Sequence, residues 1–366
     1  MKNLTNFTWR QTLSLIPVAL QQNTSDQQFN MGRGGYKQIN KALNICAFDD
    51  YLASQVANLP KINDVEYISP RVLRILGQNE GKVCHCILPL FASTQLINIS
   101  PQFTLQGTNT YIIGTGRTRL IIDTGQGIPE WADLIESTLA DASITLSHVL
   151  LTHWHGDHTG GVPDLLRLYP HLSTSIYKHT PGSDQQPIAD GQIFRVEGAT
   201  VRAVHAPGHS HDHMCFILEE EKAMFTGDNV LGHGTAAVEV LPTWMQSLRT
   251  MQSHNCAIGY PAHGEVIRNL PGKLNLELQV KEGREKKVLQ ALVRVKLEQR
   301  SATPSAKGSV TVRQLVGVMY GDQLDEQVRE KAIEPFTDEV LRKLAGDGKV
   351  AFELKAGQRK WFSLFA

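Results

Sequence analysis

One stretch constrains this chain more than any other: LLTHWHGDHTGG, from Leu150 to Gly161. It sets His153, His155, Asp157 and His158 within six residues, directly after a run of apolar side chains. Such a run reads as a buried strand, and polar loops at strand ends are where sites are built. A lone His-x-His is ordinary in a polar loop. Here two imidazoles leave a strand, and a carboxylate and a third imidazole follow where a helix begins. These groups surround one small volume, and they suit Zn²⁺ and neighbouring divalent cations.

Further candidate ligands stand at other strand ends. APGHSHDHM supplies His209, His211 and His213, FTGDN supplies Asp228, and YPAHGE supplies His263. A carboxylate such as Asp228 can bridge two cations, as two-metal hydrolases require. Strand and helix patterns alternate around these loops. RLIIDTG is a buried strand ending at Asp123, IPEWADLIESTLADA has helical spacing, and FTLQGTNTYIIGTG reads as β structure. The alternation predicts an α/β fold, with sheets covered by helices and a site on the loops.

After Leu274 the character changes. Residues 275–366 read as a charged helix, a loop, two more helices and a strand–turn–strand hairpin, a winged-helix-like α+β domain. Thr337 is the expected N-cap of its last helix. Such domains can bind nucleic acid. This stretch, however, holds 17 Lys or Arg against 13 Asp or Glu, with no basic stripe, so a packing or lid role is expected. The whole chain has 366 residues and zero net charge, which suits a core domain plus a smaller one and disfavours a nucleic-acid surface. Five cysteines are too few, and odd in number, for a disulfide framework; they point to a reducing, cytoplasmic setting. No apolar run approaches the roughly 20 residues of a membrane helix. Residues 1–30 read as a disordered or mis-assigned extension with a weak targeting pattern, and Met31 as an alternative start.

The ordered motifs D-T-G at Asp123, T-H-W-H-G-D-H at 152–158, P-G-H at 207–209, G-D at 227–228 and A-H-G at 262–264 resemble those of the metallo-β-lactamase superfamily. The resemblance implies an αββα sandwich over residues 31–274, with two Zn²⁺ at one edge. One cation would take His153, His155 and His209. The other would take Asp157, His158 and His263, with Asp228 between them. Asp123 would hold the histidine loop by hydrogen bonds, and His213 would stand behind the ligands. Asp157 is also the candidate proton carrier. His211 would be a solvent or substrate neighbour. Cys215 lies in an apolar strand and is not expected to be a ligand.

The superfamily holds lactamases, thioesterases, ribonucleases and redox enzymes, so the fold does not choose the reaction. MGRGGYKQINKALNICAFDDYLASQVANLPKINDVEYISPRVLRILGQN, FTLQGTNTYIIGTG and the HSHDHM stretch are similar to the atrochrysone carboxyl acyl-carrier-protein thioesterases of non-reducing polyketide synthases. That resemblance implies a metal-dependent thioesterase. Its partner would be the synthase's acyl carrier protein and its substrate an aromatic polyketide thioester; a metallo-β-lactamase-fold nuclease, or a hydrolase of small thioesters, is the alternative. VCHCILPLFASTQLINISPQ, Val83 to Gln102, departs from the pattern. Its 20 codons can begin GT and end AG, so a retained intron is expected, with a true insertion as the alternative. A metal role for Cys84 and Cys86 is disfavoured.

Overall fold

The computed structural model describes residues 59–79, 104–321, 324 and 326–365. The extension 1–30, the start at Met31 and the segment 83–102 with Cys84 and Cys86 lie outside the described residues. Seven strands form a first sheet in chain order: β1 (Val65–Ser69), β2 (Val72–Leu76), β3 (Asn109–Ile113), β4 (Thr118–Ile122), β5 (Thr145–Leu150), β6 (Ile176–Lys178) and β7 (Gln186–Pro187). Pairing is antiparallel up to β4 and parallel from there to β7. Five strands form a second sheet: β8 (Ile193–Val196), β9 (Ala199–His205), β10 (Met214–Leu218), β11 (Ala223–Gly227) and β12 (Ile258–Pro261). The last pair, β11 and β12, is parallel.

Strand alternation sorts side chains into layers, because successive residues point to opposite faces. Tyr111, Ile113, Leu120 and Ile122 meet Met214, Phe216, Ala223 and Phe225 between the sheets. Ile112 and Ile121 turn outward against Trp131 and Ile135 of α1 (Pro129–Asp141) and Leu165 of α3 (Val162–Leu168). The short α2 (Gly156–Thr159) lies before α3. On the other side, Cys215, Ile217 and Met224 pack on Trp244 and Leu248 of α4 (Leu241–Ser253) and on Leu274 and Leu278 of α5 (Leu270–Ala302). Helix, sheet, sheet, helix is the αββα sandwich. Phe216 and Phe225 sit at its centre essentially without exposure, and truncating either to Ala is expected to cost about 3–5 kcal/mol.

The same outer core continues into α6 (Val312–Tyr320), α8 (Glu334–Gly346) and the hairpin β13 (Val350–Lys355) with β14 (Gln358–Ser363), through Leu315, Leu341, Leu344, Val350 and Trp361. A short α7 (Glu326–Val328) runs into α8 through a π-helical stretch, Arg329–Ile333.

Three local expectations are corrected. Residues 104–107 are not strand: Leu105 (φ 53°) and Gly107 (φ 116°) take left-handed backbone, and β3 begins only at Asn109. The charged helix begins at Leu270, because Asn269 accepts from the backbone N–H of Gly272 and Pro271 sits in the first turn, where its missing N–H costs nothing. Thr337 is no cap: it lies inside α8, buried, and its hydroxyl donates to the carbonyl of Ile333 at 2.7 Å. A capping box does open α6, at Thr311.

Candidate metal centre

Every strand that leads to the centre delivers its polar residue from the end nearest one edge. β5 runs out through Thr152 into His153–His158, with Asp157 and His158 on α2. His209 comes from the β9–β10 connection, Asp228 directly follows β11, and His263 closely follows β12. The donor atoms of His153, His155, His209 and Asp228 lie within 4.8 Å of one another, and so do those of Asp157, His158 and His263.

Hydrogen-bond partners assign the ring tautomers. His158 Nδ1–H donates to Asp123 Oδ2 at 2.9 Å, His209 Nδ1–H to the Ala237 carbonyl at 2.7 Å, and His263 Nδ1–H to the Gly107 carbonyl at 3.3 Å. The Thr152 hydroxyl gives its proton to Asp123, so at 2.9 Å it accepts from His153 Nδ1–H. Four rings thus turn Nε2 inward, with Nδ1 committed to the protein. His153 Nε2, His155 Nδ1 and His209 Nε2 then face one another at 2.8, 3.1 and 3.2 Å. Asp157 Oδ2 lies 3.2 Å from Nε2 of both His158 and His263. Asp228 reaches both groups, with Oδ2 3.5 Å from His209 Nε2 and Oδ1 3.2 Å from His263 Nε2. His158 Nε2 and Asp228 Oδ1 are buried and have no hydrogen-bond partner. Imidazole nitrogens and carboxylate oxygens converge here, and a bound cation fits what the residues present.

Without a cation the two groups respond differently. Burial pulls the His153 imidazole well below its ordinary value, and the neighbouring imidazoles add to it. His155 is pulled down to about 3 by burial and His209. For His158 burial also opposes charge, but Asp157, Asp228 and Asp123 outweigh it and push the ring well up. His263 is likewise raised to about 10 against its burial, chiefly by Asp228 and Asp157. Asp157 and Asp228 are buried, yet the facing imidazoles hold both carboxyls below the usual range.

The residues expected around the ligands are placed as follows. Asp123, with left-handed backbone (φ 59°), accepts from the Thr152 N–H at 2.8 Å as well as from His158, and so ties the histidine loop to the end of β4. His213 Nε2 accepts from the backbone N–H of Asp228 at 3.0 Å. His211 is largely exposed, with Glu239 4.0 Å away. Cys215 is buried in the outer core, which raises its thiol to about 12. Sequence reasoning missed Thr108, whose hydroxyl donates to Asp157 Oδ2 at 3.4 Å, and the Ala237 and Gly107 carbonyls. A backbone carbonyl leaves no residue signature, so only the GTNT turn hinted at Thr108.

A family model, that of the Metallo-beta-lactamase superfamily, matches residues 103–263. An atrochrysone carboxyl ACP thioesterase of Aspergillus fumigatus is 70% identical over 92% of this chain and 79% of its own length. A second protein of that name, from Aspergillus terreus, is 66% identical over 91% of this chain and 97% of its own. A lactamase-like protein of Pestalotiopsis fici is 68% identical over 91% and 99%. A beta-lactamase domain protein from Burkholderia ambifaria shares the fold, with TM-score 0.58 and 17% identity, over 84% of this chain and 95% of its own. The chain belongs to the metallo-beta-lactamase superfamily and, within it, to the family that these thioesterase-named relatives make up. The fold and its His/Asp groups imply a bound metal.

Proposed function

We propose that this chain is a metal-dependent thioesterase that hydrolyses an aromatic polyketide from the phosphopantetheine thiol of an acyl carrier protein, the carrier domain of a non-reducing polyketide synthase. The observation that carries the reading is a full set of seven ligand-type side chains at one edge of the sandwich, in a chain up to 70% identical to thioesterases of that name. Two groups of imidazole and carboxylate donors support two Zn²⁺, held by His153, His155 and His209 and by Asp157, His158 and His263, with Asp228 between. When bound, the metal supplies a nucleophilic water at neutral pH and polarises the thioester carbonyl.

The chain's own residues do the rest. Asp157, ionised and buried, accepts the proton that the attacking water gives up. Asp123 and His213 keep the ligands oriented. The leaving thiol has a pKa of about 8.5 and departs without a strong general acid. Residues 31–274 form the hydrolase part and 275–366 an accessory part that walls the substrate cleft. Zero net charge favours a thioester over nucleic acid, and the few cysteines favour the cytoplasm. Among the described residues no helix is long and apolar enough to cross a membrane.

The test mixes zinc-loaded protein with a carrier protein bearing an aromatic polyketide thioester and follows the acyl group by intact-protein mass spectrometry. Acyl loss is expected with the wild type and not with Asp157→Ala or a chelated sample. An acyl group that survives the folded, metal-loaded wild type sinks the reading.

A further inference from the structure

We propose that Thr235, Lys273 and Glu277 are positioning residues for His209, through which the long helix α5 sets the metal affinity of the first ligand group. The inference rests on the metal reading above.

His209 points its Nε2 at the centre because its Nδ1–H is committed, at 2.7 Å, to the carbonyl of Ala237. Ala237 lies in the strap of residues 229–240, which has no regular secondary structure of its own. The strap's ends are tied to the centre's backbone. Near its start the N–H of Gly232 donates to the carbonyl of His263 at 2.9 Å. At its end the N–H groups of Glu239 and Val240 donate to the carbonyl of Gly208, beside His209. The middle, next to Ala237, is held by α5. Thr235 Oγ1 donates to Glu277 Oε2 at 2.8 Å, and Lys273 Nζ donates to the Gly234 carbonyl at 2.7 Å. Lys273 Nζ also lies 3.1 Å from Glu277 Oε1.

Glu277 is the telling residue. It is 5% exposed and lies between Leu274 and Leu278, which both enter the apolar core. A carboxylate in such a place is costly unless its oxygens are occupied. Here both are, one by the strap and one by the lysine that also grips the strap. An apolar residue there could make neither contact, and so could not fix where the next carbonyl points.

The experiment compares Thr235→Val, Glu277→Ala and Glu277→Gln with the wild type. Leu344→Ala, a core truncation in α8, controls for lost stability. Two readouts are used on folded protein: Zn²⁺ affinity by chelator competition, and the His209 Nδ1–H signal of ¹⁵N-histidine-labelled protein. Thr235→Val and Glu277→Ala should weaken one Zn²⁺ about tenfold, the low end for residues that orient ligands, and shift or broaden the His209 signal. Glu277→Gln, which still accepts from Thr235, should stay within about twofold of the wild type on the same scale. Unchanged affinity in Thr235→Val and Glu277→Ala overturns the inference, as does an equal loss in Leu344→Ala at matched stability. A folded wild type that takes up no Zn²⁺ overturns the metal reading itself.

Discussion

In the group of His153, His155 and His209 the imidazoles face one another, whereas His158 and His263 face the carboxylates of Asp157 and Asp228. The same ring in the same buried edge therefore ends in opposite protonation states. His153 and His155 shed their protons; His158 and His263, against carboxylates, keep theirs. A cation entering the first group meets the free lone pairs of His153 and His155. One entering the second must displace protons that already balance the local charge.

The largest effect that bears on this contrast comes from removing the carboxylates. Asp157→Ala should lower single-turnover acyl release by about 10²–10⁴-fold, the range for a proton-transfer group, and lower the second cation's occupancy with it. Metal analysis of the purified variant checks the second part. Full occupancy with lost turnover would separate Asp157's proton role from its ligand role.

Next comes pH. His263 holds its proton up to about 10, and His158 is raised as well. Between pH 6.5 and 9 the second Zn²⁺ should gain affinity at least about tenfold per pH unit, one proton being displaced per ring. The first should change little, since His155 is neutral above about 3. Parallel pH slopes in a two-site titration would erase the contrast.

Asp123→Asn removes the charge beside His158 and leaves first-group rings other than His153 alone. Zn²⁺ affinity at the second group should fall by about 10–100-fold.

The chelated protein offers a subtler measure. The folded pKa of His263, about 10, lies above its ordinary 6.5. Its contribution to stability is thus complete below pH 6.5 and lost as pH rises through 10. Melts at pH 7 and pH 10 should show the chelated form losing more than the zinc-loaded one.

Smallest is Thr311→Ala, which deletes the cap of α6 far from either group. Stability should drop by about 1 kcal/mol, with acyl release unchanged.

The contrast itself was only half visible in the sequence. His153 to His158 announce themselves because four ligand types crowd six positions, and Asp228 and His263 because each follows an apolar strand. Sheets covered by helices were legible in the alternation of strand and helix patterns, and the αββα sandwich in the resemblance of the ordered motifs to the metallo-β-lactamase superfamily. What escaped depends on partners distant in the chain. The ring tautomers hang on the Ala237 and Gly107 carbonyls, which any residue would present. The start of α5 was hidden by Pro271 and Gly272, which look like breakers until Asn269 is seen to cap the turn. Thr337 looked like a cap because its hydroxyl can serve either end of a turn, and the π-helical stretch before it carries no periodicity to read.

The ligand-type side chains leave four strand ends on two different sheets, and the last of them follows β12. A growing polypeptide that has emerged only as far as β5 offers the His153–His158 cluster and nothing opposite it. The complete set of ligand-type side chains therefore exists only in a chain whose last strand is in place and whose two sheets have closed on each other.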